Sequence, residues 1–407
     1  MVWRLSVILF PSSWQALLAA ALLALNPYVF DFMSAARGYG MALAFFAWAI
    51  LFLFEFAKEI SSDASAAPRT LRWLAILATL SVGANLTFAF PAVALLGAVA
   101  TVVYRRSGGI RAVLVNIAAP SAIVFCLFAA PLTAVKRGDF YFGLPVLRDS
   151  LHTLYAASFD QEWPLIGFEP IIQAEISRYL PYLLLFLGVS TILAIGLPGR
   201  TSEPEKQSPQ RLVLNISAAT LAGSILFVLI GHLSTGMLYP YARTCLYVIF
   251  LSTIVILLAA TRLVRARQPW RFVGYATTAG MVLIAGLYGL EFRTQWYGDW
   301  KFDAGTGSLM RTLSALRREP SRSGVHLGSS WAMQSTAEFY RMIYHMNWLA
   351  PVTRDQPSCE DDYALVQLLD RSFVDALGFE IIKQDPVSGA ILAQRTARSC
   401  ATQQSIN

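Results

Sequence analysis

Long apolar runs separated by short polar connections dominate the first 290 residues of this 407-residue chain. A helix needs about 20 mostly apolar residues to cross a bilayer, and several windows meet this requirement with almost no internal charge. The pattern predicts a bundle of about nine transmembrane helices. The predicted spans cover residues 14–30, 40–56, 71–83, 87–104, 111–132, 179–197, 212–232, 243–263 and 271–290. The third is short, and we expect it to form a tight hairpin with the fourth.

After residue 290 the apolar runs stop and charges of both signs alternate with turn-forming residues. Helical periodicity covers residues 303–318 and 333–344, and short strands are predicted at 324–328, 364–368, 379–383 and 390–394. Strands alternating with helices favour a small α/β layer structure. The predicted fold is therefore mainly α, with a transmembrane domain over residues 1–290 and a soluble α/β domain over residues 291–407.

Basic residues in every second connection predict the orientation of the bundle, because short cytoplasmic loops collect Lys and Arg. The N-terminus is then inside, and after nine crossings the C-terminal domain is extracytoplasmic. Connections near residues 31–39, 135–178 and 231–241 also lie outside. The basic groups are Lys58, Arg69 and Arg72; Arg105, Arg106 and Arg111; Arg200, Lys206 and Arg211; and Arg262, Arg265, Arg267 and Arg271.

The first apolar run also allows a secretory signal peptide, with Arg4 before an apolar core at residues 16–25. Asn26-Pro27-Tyr28 is a poor cleavage site because cleavage favours small residues. Composition supports a membrane protein in either case, since 56% of the residues are hydrophobic and 14% are charged. The formal charge of +7 comes without a long basic run or basic-aromatic stripe, so nucleic acid is not an expected partner.

The four cysteines divide between the two domains. Cys126 and Cys245 lie in predicted spans, where they serve as packing residues. Cys359 and Cys400 lie in the outside domain and are candidates for a disulfide in an oxidising compartment. The acidic run from Glu360 to Asp362 favours a solvated turn over a cation site. The sequence requires no cofactor and leaves a divalent metal open.

The remaining polar chemistry concentrates in the three outside connections, since the phosphate-loop, zinc-protease and serine-hydrolase motifs are absent. An arginine there suits a lipid phosphate, because its planar fork donates two parallel hydrogen bonds and stays charged. The alternative is that these arginines and tyrosines anchor helix ends at head-group level. The candidates are Asp31, Arg37 and Tyr39; Lys136, Arg137, Asp139, Tyr141 and Tyr155; and Tyr239, Tyr241 and Arg243.

Two motifs resemble the polytopic glycosyltransferases of the GT-C class, particularly bacterial relatives of the protein O-mannosyltransferases. The first is Asn26-Pro27 followed by the turn Ala36-Arg37-Gly38-Tyr39 into the next helix, and the second is the run "YPYARTCLYVIFL" from Tyr239. The hydrophobic layout fits as well, over roughly 70% of the chain. The resemblance implies a bacterial cytoplasmic-membrane enzyme that moves a sugar from a polyprenyl-phosphate carrier to a glycan, lipid or protein outside.

The resemblance also implies residue roles. Arg37 and Arg243 would contact the carrier phosphate, and Tyr39, Tyr141 and Tyr239 would line the substrate groove. The family position before Ala36 is often acidic but is Ala35 here. The family's catalytic acid lies in an earlier outside loop, which nothing before Trp14 supplies. We therefore expect the chain to be N-terminally truncated, mis-started or degenerate relative to the family, and Asp31 or Asp139 could substitute as the base.

A second class of function stays open at this point. A non-catalytic membrane partner or scaffold of envelope polysaccharide assembly would fit the missing acid. A transporter component fits less well, because transporters place ionisable residues or broken helices at mid-membrane and repeat a topology in two halves. Sugar donor, acceptor and oligomeric state are not predicted.

Overall fold

The computed structural model describes residues 2–10, 12–34, 38–62, 68–106, 109–133, 143–159, 169–197, 208–292, 296, 298–316 and 324–395. Contacts along the chain divide the protein into two compact units, Met1–Phe292 and Arg293–Asn407. Helices build the first unit, and the second unit contains a four-stranded sheet.

The first unit is built from α-helices. Proline and glycine mark several of the ends: α11 has Pro209 in its first turn and ends at Gly236, whose positive φ suits a helix cap. The helices are α1 Val2–Leu9, α2 Ser13–Ala24, α3 Pro27–Ser34, α4 Gly38–Ser61, α5 Pro68–Ala84, α6 Ala89–Arg106, α7 Gly109–Val113, α8 Ala119–Thr133, α9 Leu147–Phe159, α10 Glu169–Gly196, α11 Pro209–Thr235, α12 Leu246–Val264 and α13 Trp270–Glu291.

Seven helical segments in the described ranges are long and apolar enough to cross a membrane, so the protein is a multi-pass membrane protein. Each of the nine predicted spans coincides with helix, but two differ from a straight span. The helix pair α2 and α3 bends by 68° and would make an eighth crossing if it counts as one span. Helix α5 has 17 residues, about 25 Å of helix. The seven segments are Gly38–Ser61, Leu86–Arg106, Gly109–Ala130, Arg178–Gly196, Pro209–Thr235, Ala242–Val264 and Trp270–Glu291.

Aromatic rings join the most buried helix, α12, to its neighbours. The ring centroid of Phe46 on α4 lies 5.9 Å from that of Phe88 and 6.3 Å from that of Phe250 on α12. Tyr247 on α12 lies 5.8 Å from Phe88. Lipid tails are as apolar as these side chains, so close packing, and not removal from water, holds such helices together.

The second unit folds around a mixed sheet with the strand order β1-β2-β4-β3. Strands β1 and β2 are parallel, and β4 pairs antiparallel with both β2 and β3. The sheet strands fall at or within three residues of the predicted positions, whereas the short helix α16 was not predicted. The elements are α14 Thr306–Leu316, β1 Leu327–Ser329, α15 Gln334–Ile343, β2 Tyr363–Val366, α16 Arg371–Ala376, β3 Phe379–Gln384 and β4 Ile391–Arg395.

A carboxylate joins the two longer helices of this unit. The Thr306 and Thr336 hydroxyls both donate to the carboxylate of Asp303. Helix α14 begins at Thr306 and not at residue 303 as predicted, because residues 298–303 form a separate 3-10 segment. Burial raises the pKa of Asp303 above its ordinary value, and the two hydroxyls partly offset that shift. Leu309 and Leu313 of α14 then pack into the main core of the unit.

Helix α15 is tied to the segment that follows it by a bidentate ion pair. Arg341 donates to both carboxylate oxygens of Glu338, with N to O distances of 2.7 and 2.8 Å. The Val352 amide donates to the same carboxylate at 3.0 Å. The hydrogen bonds from Arg341, chiefly, lower the pKa of Glu338 below its ordinary value. The stabilisation is therefore present above the ordinary glutamate pKa of 4.5 and is lost as pH falls through the lowered value.

We expect Glu338→Gln to destabilise the second unit by about 1 kcal/mol at neutral pH, because a charged hydrogen bond is lost while solvent screens part of its strength. Amide protection factors of α15 and Val352 in the full-length protein measure the effect. The difference between wild type and variant should shrink on acidification. The exposed Glu360→Gln is the matched control, and equal protection in wild type and Glu338→Gln would contradict the prediction.

Candidate functional site

The first of the connections predicted to lie outside carries one buried carboxylate and one partly buried tyrosine. Asp31 on α3 is 4% exposed. Tyr39, at the start of α4, packs edge-on against Phe32 with 5.1 Å between ring centroids. Arg37, the phosphate contact predicted between them, lies outside the described residues. The structure thus places Asp31 and Tyr39 on neighbouring helices at the same end of the bundle.

Two glycines allow this turn to fold close to its neighbours. A Cβ atom at Gly38 would lie 2.1 Å from the carbonyl oxygen of Ala84, the last residue of α5. A Cβ atom at Gly40 would lie 2.8 Å from the carbonyl oxygen of Phe32. Real Cβ contacts are not that short, so the glycines position Tyr39 by letting backbones approach.

The third connection predicted to lie outside folds around Tyr239, which is buried. The backbones of Tyr239 and Leu144 exchange two hydrogen bonds of 2.8 and 2.9 Å. The ring of His232 stacks on Tyr239 at 4.1 Å between centroids, and its Nδ1 donates to the Met237 carbonyl at 2.7 Å. The loop before α12 is therefore fixed to Leu144, in the second connection predicted to lie outside.

Helix α9 holds the next part of the same loop. Ser150 donates its hydroxyl hydrogen to the Pro240 carbonyl, and the Ala242 amide donates to the Thr153 hydroxyl at 3.2 Å. Arg243, partly buried, follows in the 3-10 turn Ala242–Cys245, so the α-helix it was predicted to open begins at Leu246. Because α9 also packs against α3, described parts of all three connections that were predicted to lie outside are close together.

A buried polar cluster lies beside α3 and includes two residues that the sequence did not indicate. The side chain of Tyr288 on α13 lies close to the side chain of Asn26 and to the carboxylate of Glu291. Asn26 and Glu291 are 0% and 2% exposed. Phe30 packs against Phe292 with 5.0 Å between centroids, which brings α3 to the end of α13. Glu291 is the one acidic residue in α13. That isolated acid in an apolar helix is the sequence feature that could have indicated the cluster.

An apolar cavity of about 240 Å³ lies next to this cluster, inside the helix bundle. Tyr288 lines it and therefore belongs to both the cavity and the polar cluster. Ser158, 3% exposed, also lines it, and its hydroxyl has no hydrogen-bond partner among the described residues. Helices α2, α9, α10, α12 and α13 supply the walls: Leu22; Leu151, Leu154, Tyr155, Ser158 and Phe159; Leu184 and Leu187; Val248, Ile249, Ser252, Thr253 and Ile256; and Met281, Ile284 and Tyr288.

The volume and lining limit what the cavity can hold. Pockets for whole drug-sized ligands measure roughly 300 to 1,000 Å³, so this cavity suits part of a hydrocarbon chain. Its aliphatic walls offer dispersion contacts, while Tyr288 and Ser158 offer polar groups. The cavity and the Asn26, Tyr288 and Glu291 cluster together form an amphipathic site at one end of the bundle.

Other predicted site residues are not brought to this site by the described part of the chain. Asp139 and Tyr141 lie outside the described residues. Cys359 in the second unit is disulfide-bonded, whereas Cys126 and Cys245 are free thiols. Cys400, the predicted partner of Cys359, lies outside the described residues, so that pairing stays a prediction.

The described residues contain no group of three or more His, Cys, Asp or Glu side chains placed to hold a metal ion. Comparisons with protein-family models, curated proteins and solved structures gave no match to this chain. The likeness to glycosyltransferases therefore rests on the sequence motifs, and the function they imply is a proposal.

We expect the double variant Ser150→Ala/Thr153→Val to loosen the loop before α12 while leaving the bundle assembled, because it removes both side-chain bonds from α9. Each lost hydrogen bond should cost on the order of 1 kcal/mol. Hydrogen exchange of residues 239–245 in nanodiscs measures the change, with Thr278→Val, whose hydroxyl donates within α13, as control. Unchanged exchange in the double variant would show that α9 does not hold the loop.

Proposed function

We propose that this protein is a membrane glycosyltransferase that moves a sugar from a polyprenyl-phosphate carrier to an extracytoplasmic glycan, lipid or protein. One observation carries the proposal: an apolar cavity inside the bundle shares Tyr288 with a buried polar cluster. A carrier lipid has the same division, with a hydrocarbon chain at one end and a charged sugar phosphate at the other. The motifs around Arg37 and Arg243 add the family resemblance.

The position of Arg243 supports its role as a phosphate contact. It lies in the turn that leads into α12, and Val248 and Ile249 at the start of that helix line the cavity. The same turn is bonded to Thr153 of α9, whose neighbour Leu154 lines the cavity as well. A chain in the cavity would therefore place its phosphate near the turn of Arg243. The guanidinium would stabilise charge on the departing phosphate.

The chemistry needs a group that accepts a proton. The acceptor hydroxyl oxygen forms a bond to the anomeric carbon of the sugar, the bond from that carbon to the phosphate oxygen breaks, and the hydroxyl proton passes to a carboxylate. Asp31 fits this role because it is a buried carboxylate on the helix that packs against α9. Asp139 is the other candidate base. Tyr39, Tyr141 and Tyr239 would line the substrate groove, on the extracytoplasmic side together with the C-terminal unit.

Replacing the cation tests the phosphate contact. We expect Arg243→Gln to weaken binding of polyprenyl phosphate by about tenfold or more, because a charged hydrogen bond to phosphate is lost. Binding of the matching uncharged polyprenol should change little. Native mass spectrometry of the purified protein with each lipid gives both affinities. An equal loss for the two lipids, or no loss for either, would demote Arg243 to an interface anchor.

Filling the cavity tests the hydrocarbon contact separately. Ser158→Phe adds a ring to the cavity, so we expect it to weaken polyprenol and polyprenyl phosphate alike. The exposed Ser234→Phe on α11 is the matched control and should bind both lipids as wild type does. Wild-type affinity in Ser158→Phe would mean that the chain lies elsewhere.

Turnover separates the enzyme from a non-catalytic partner of polysaccharide assembly. Reconstituted wild-type protein should release phosphate carrier from defined polyprenyl-phosphate sugars in the presence of acceptor mixtures from the envelope. Asp31→Asn should abolish release while carrier binding persists. A wild-type protein that binds the carrier and transfers no sugar would favour the scaffold.

A further inference from the structure

The basic end of the bundle contains a second pocket, between α6 and α11, with a volume of about 440 Å³. It is lined by Arg105 and Arg106 in the last turn of α6, by Thr101 one turn earlier, and by Asn215 and Leu212 on α11. These residues lie in connections or helix ends that the charge pattern assigns to the cytoplasmic face. The pocket is therefore separate from the amphipathic site described above.

Helices α6 and α11 also touch through small residues away from the pocket. Gly223 of α11 lies against Ala94 of α6, where an added Cβ would come within 3.1 Å of the Ala94 Cβ. The helices run antiparallel, so Arg105 lies near Leu212, roughly 16 Å along the axis from that contact. Toward these helix ends the small Ala94 and Gly223 are replaced by longer side chains, which line the pocket.

The polar lining offers two cations and one buried acceptor. The Oδ1 atom of Asn215 is buried and accepts no hydrogen bond from the described residues. The Thr101 hydroxyl donates to the Gly97 carbonyl at 2.8 Å, which leaves its oxygen able to accept. A ligand for this pocket should therefore carry a negative charge for Arg105 and Arg106 and a hydroxyl hydrogen for Asn215.

The remaining wall of the pocket is apolar and faces the lipid-crossing part of the helices, at Val102, Ile216 and Ala219. A charged head next to an apolar stem matches a phospholipid at the membrane interface. Basic pockets between transmembrane helices on the cytoplasmic side bind anionic head groups in this way. A soluble phosphate would use the cations but not the apolar wall.

We propose that the pocket between α6 and α11 binds an anionic phospholipid whose head group carries a free hydroxyl, as phosphatidylglycerol does. Arg105 and Arg106 hold the phosphate, Asn215 accepts a hydrogen bond from the head-group hydroxyl, and the apolar wall contacts the start of the acyl chains. The lipid would contact both helices at this end, because α6 and α11 both line the pocket. The site does not depend on the glycosyltransferase function, because it shares no lining residue with the cavity beside Tyr288.

Affinity measurements on the full-length protein in a neutral detergent test the site. Native mass spectrometry with phosphatidylglycerol, phosphatidylcholine, phosphatidic acid and glycerol phosphate gives the four dissociation constants. We expect wild type to prefer phosphatidylglycerol, and Arg105→Gln/Arg106→Gln to weaken that lipid roughly tenfold or more. The control Arg69→Gln/Arg111→Gln removes the same charge from the same predicted face, outside the pocket, and should bind as wild type does.

Two further variants separate binding from folding. Arg105→Lys/Arg106→Lys keeps both charges and should retain most of the affinity, which shows that the glutamine pair did not fail by misfolding. Asn215→Leu should lose the preference for phosphatidylglycerol over phosphatidic acid, which lacks the head-group hydroxyl, while still binding both. Equal binding of phosphatidylglycerol and phosphatidylcholine by wild type would overturn the proposal. Glycerol phosphate binding as tightly as the lipid would overturn it too, because a soluble phosphate would then be the ligand.

Discussion

The hydrogen bond from the Val29 amide to the Asn26 side chain, 2.9 Å long, makes a break between helices possible inside the bundle. Backbone groups in a bilayer have no water to bond, and each unsatisfied group costs several kcal/mol. At this break the Leu25 amide still bonds to Ala21, and Pro27 has no amide hydrogen. The chain can therefore turn by 68° between α2 and α3 without leaving the amide hydrogens of Leu25 and Val29 unbonded.

The break determines where polar chemistry can sit. It directs α3 against α9 and the end of α13, so that Asp31 is buried at the end of the bundle where Glu291 is also buried. Buried carboxylates at a membrane boundary are costly and are typical of functional positions. The apolar cavity ends at Tyr288, next to the same break. A continuous straight helix over residues 14–30 would not bring these groups together.

The location of the helices could be predicted from the sequence because hydropathy along the chain is a local signal. The same is true of β2, β3 and β4, whose β-branched and aromatic residues stand between turn formers, whereas β1 has only the neighbouring Val325 as such a signal. The bend at Asn26, the helix α16 and the π-helical turn Leu114–Ala118 could not be predicted, since they depend on neighbouring elements. At the site, the sequence indicated four residues because they are polar and lie in or beside connections: Asp31, Tyr39, Tyr239 and Arg243. It did not indicate Ser158 and Tyr288, because the cavity that they line forms only when five helices pack together.

The arginines at the basic end of the bundle differ in the hydrogen-bond partners of their side chains, which their sequence positions do not reveal. Arg72 donates to Asn116 at 3.1 Å and so joins α5 to the π-helical turn. Arg265, at the end of α12, donates at 2.8 Å to Gln210 in the first turn of α11. These side chains fix helix ends to one another. Arg105 lines an open pocket instead, beside an amide oxygen that lacks a donor in the described chain. Charge asymmetry alone predicts that all of them face the cytoplasm, but a side chain already bonded within the protein has less left to offer a ligand.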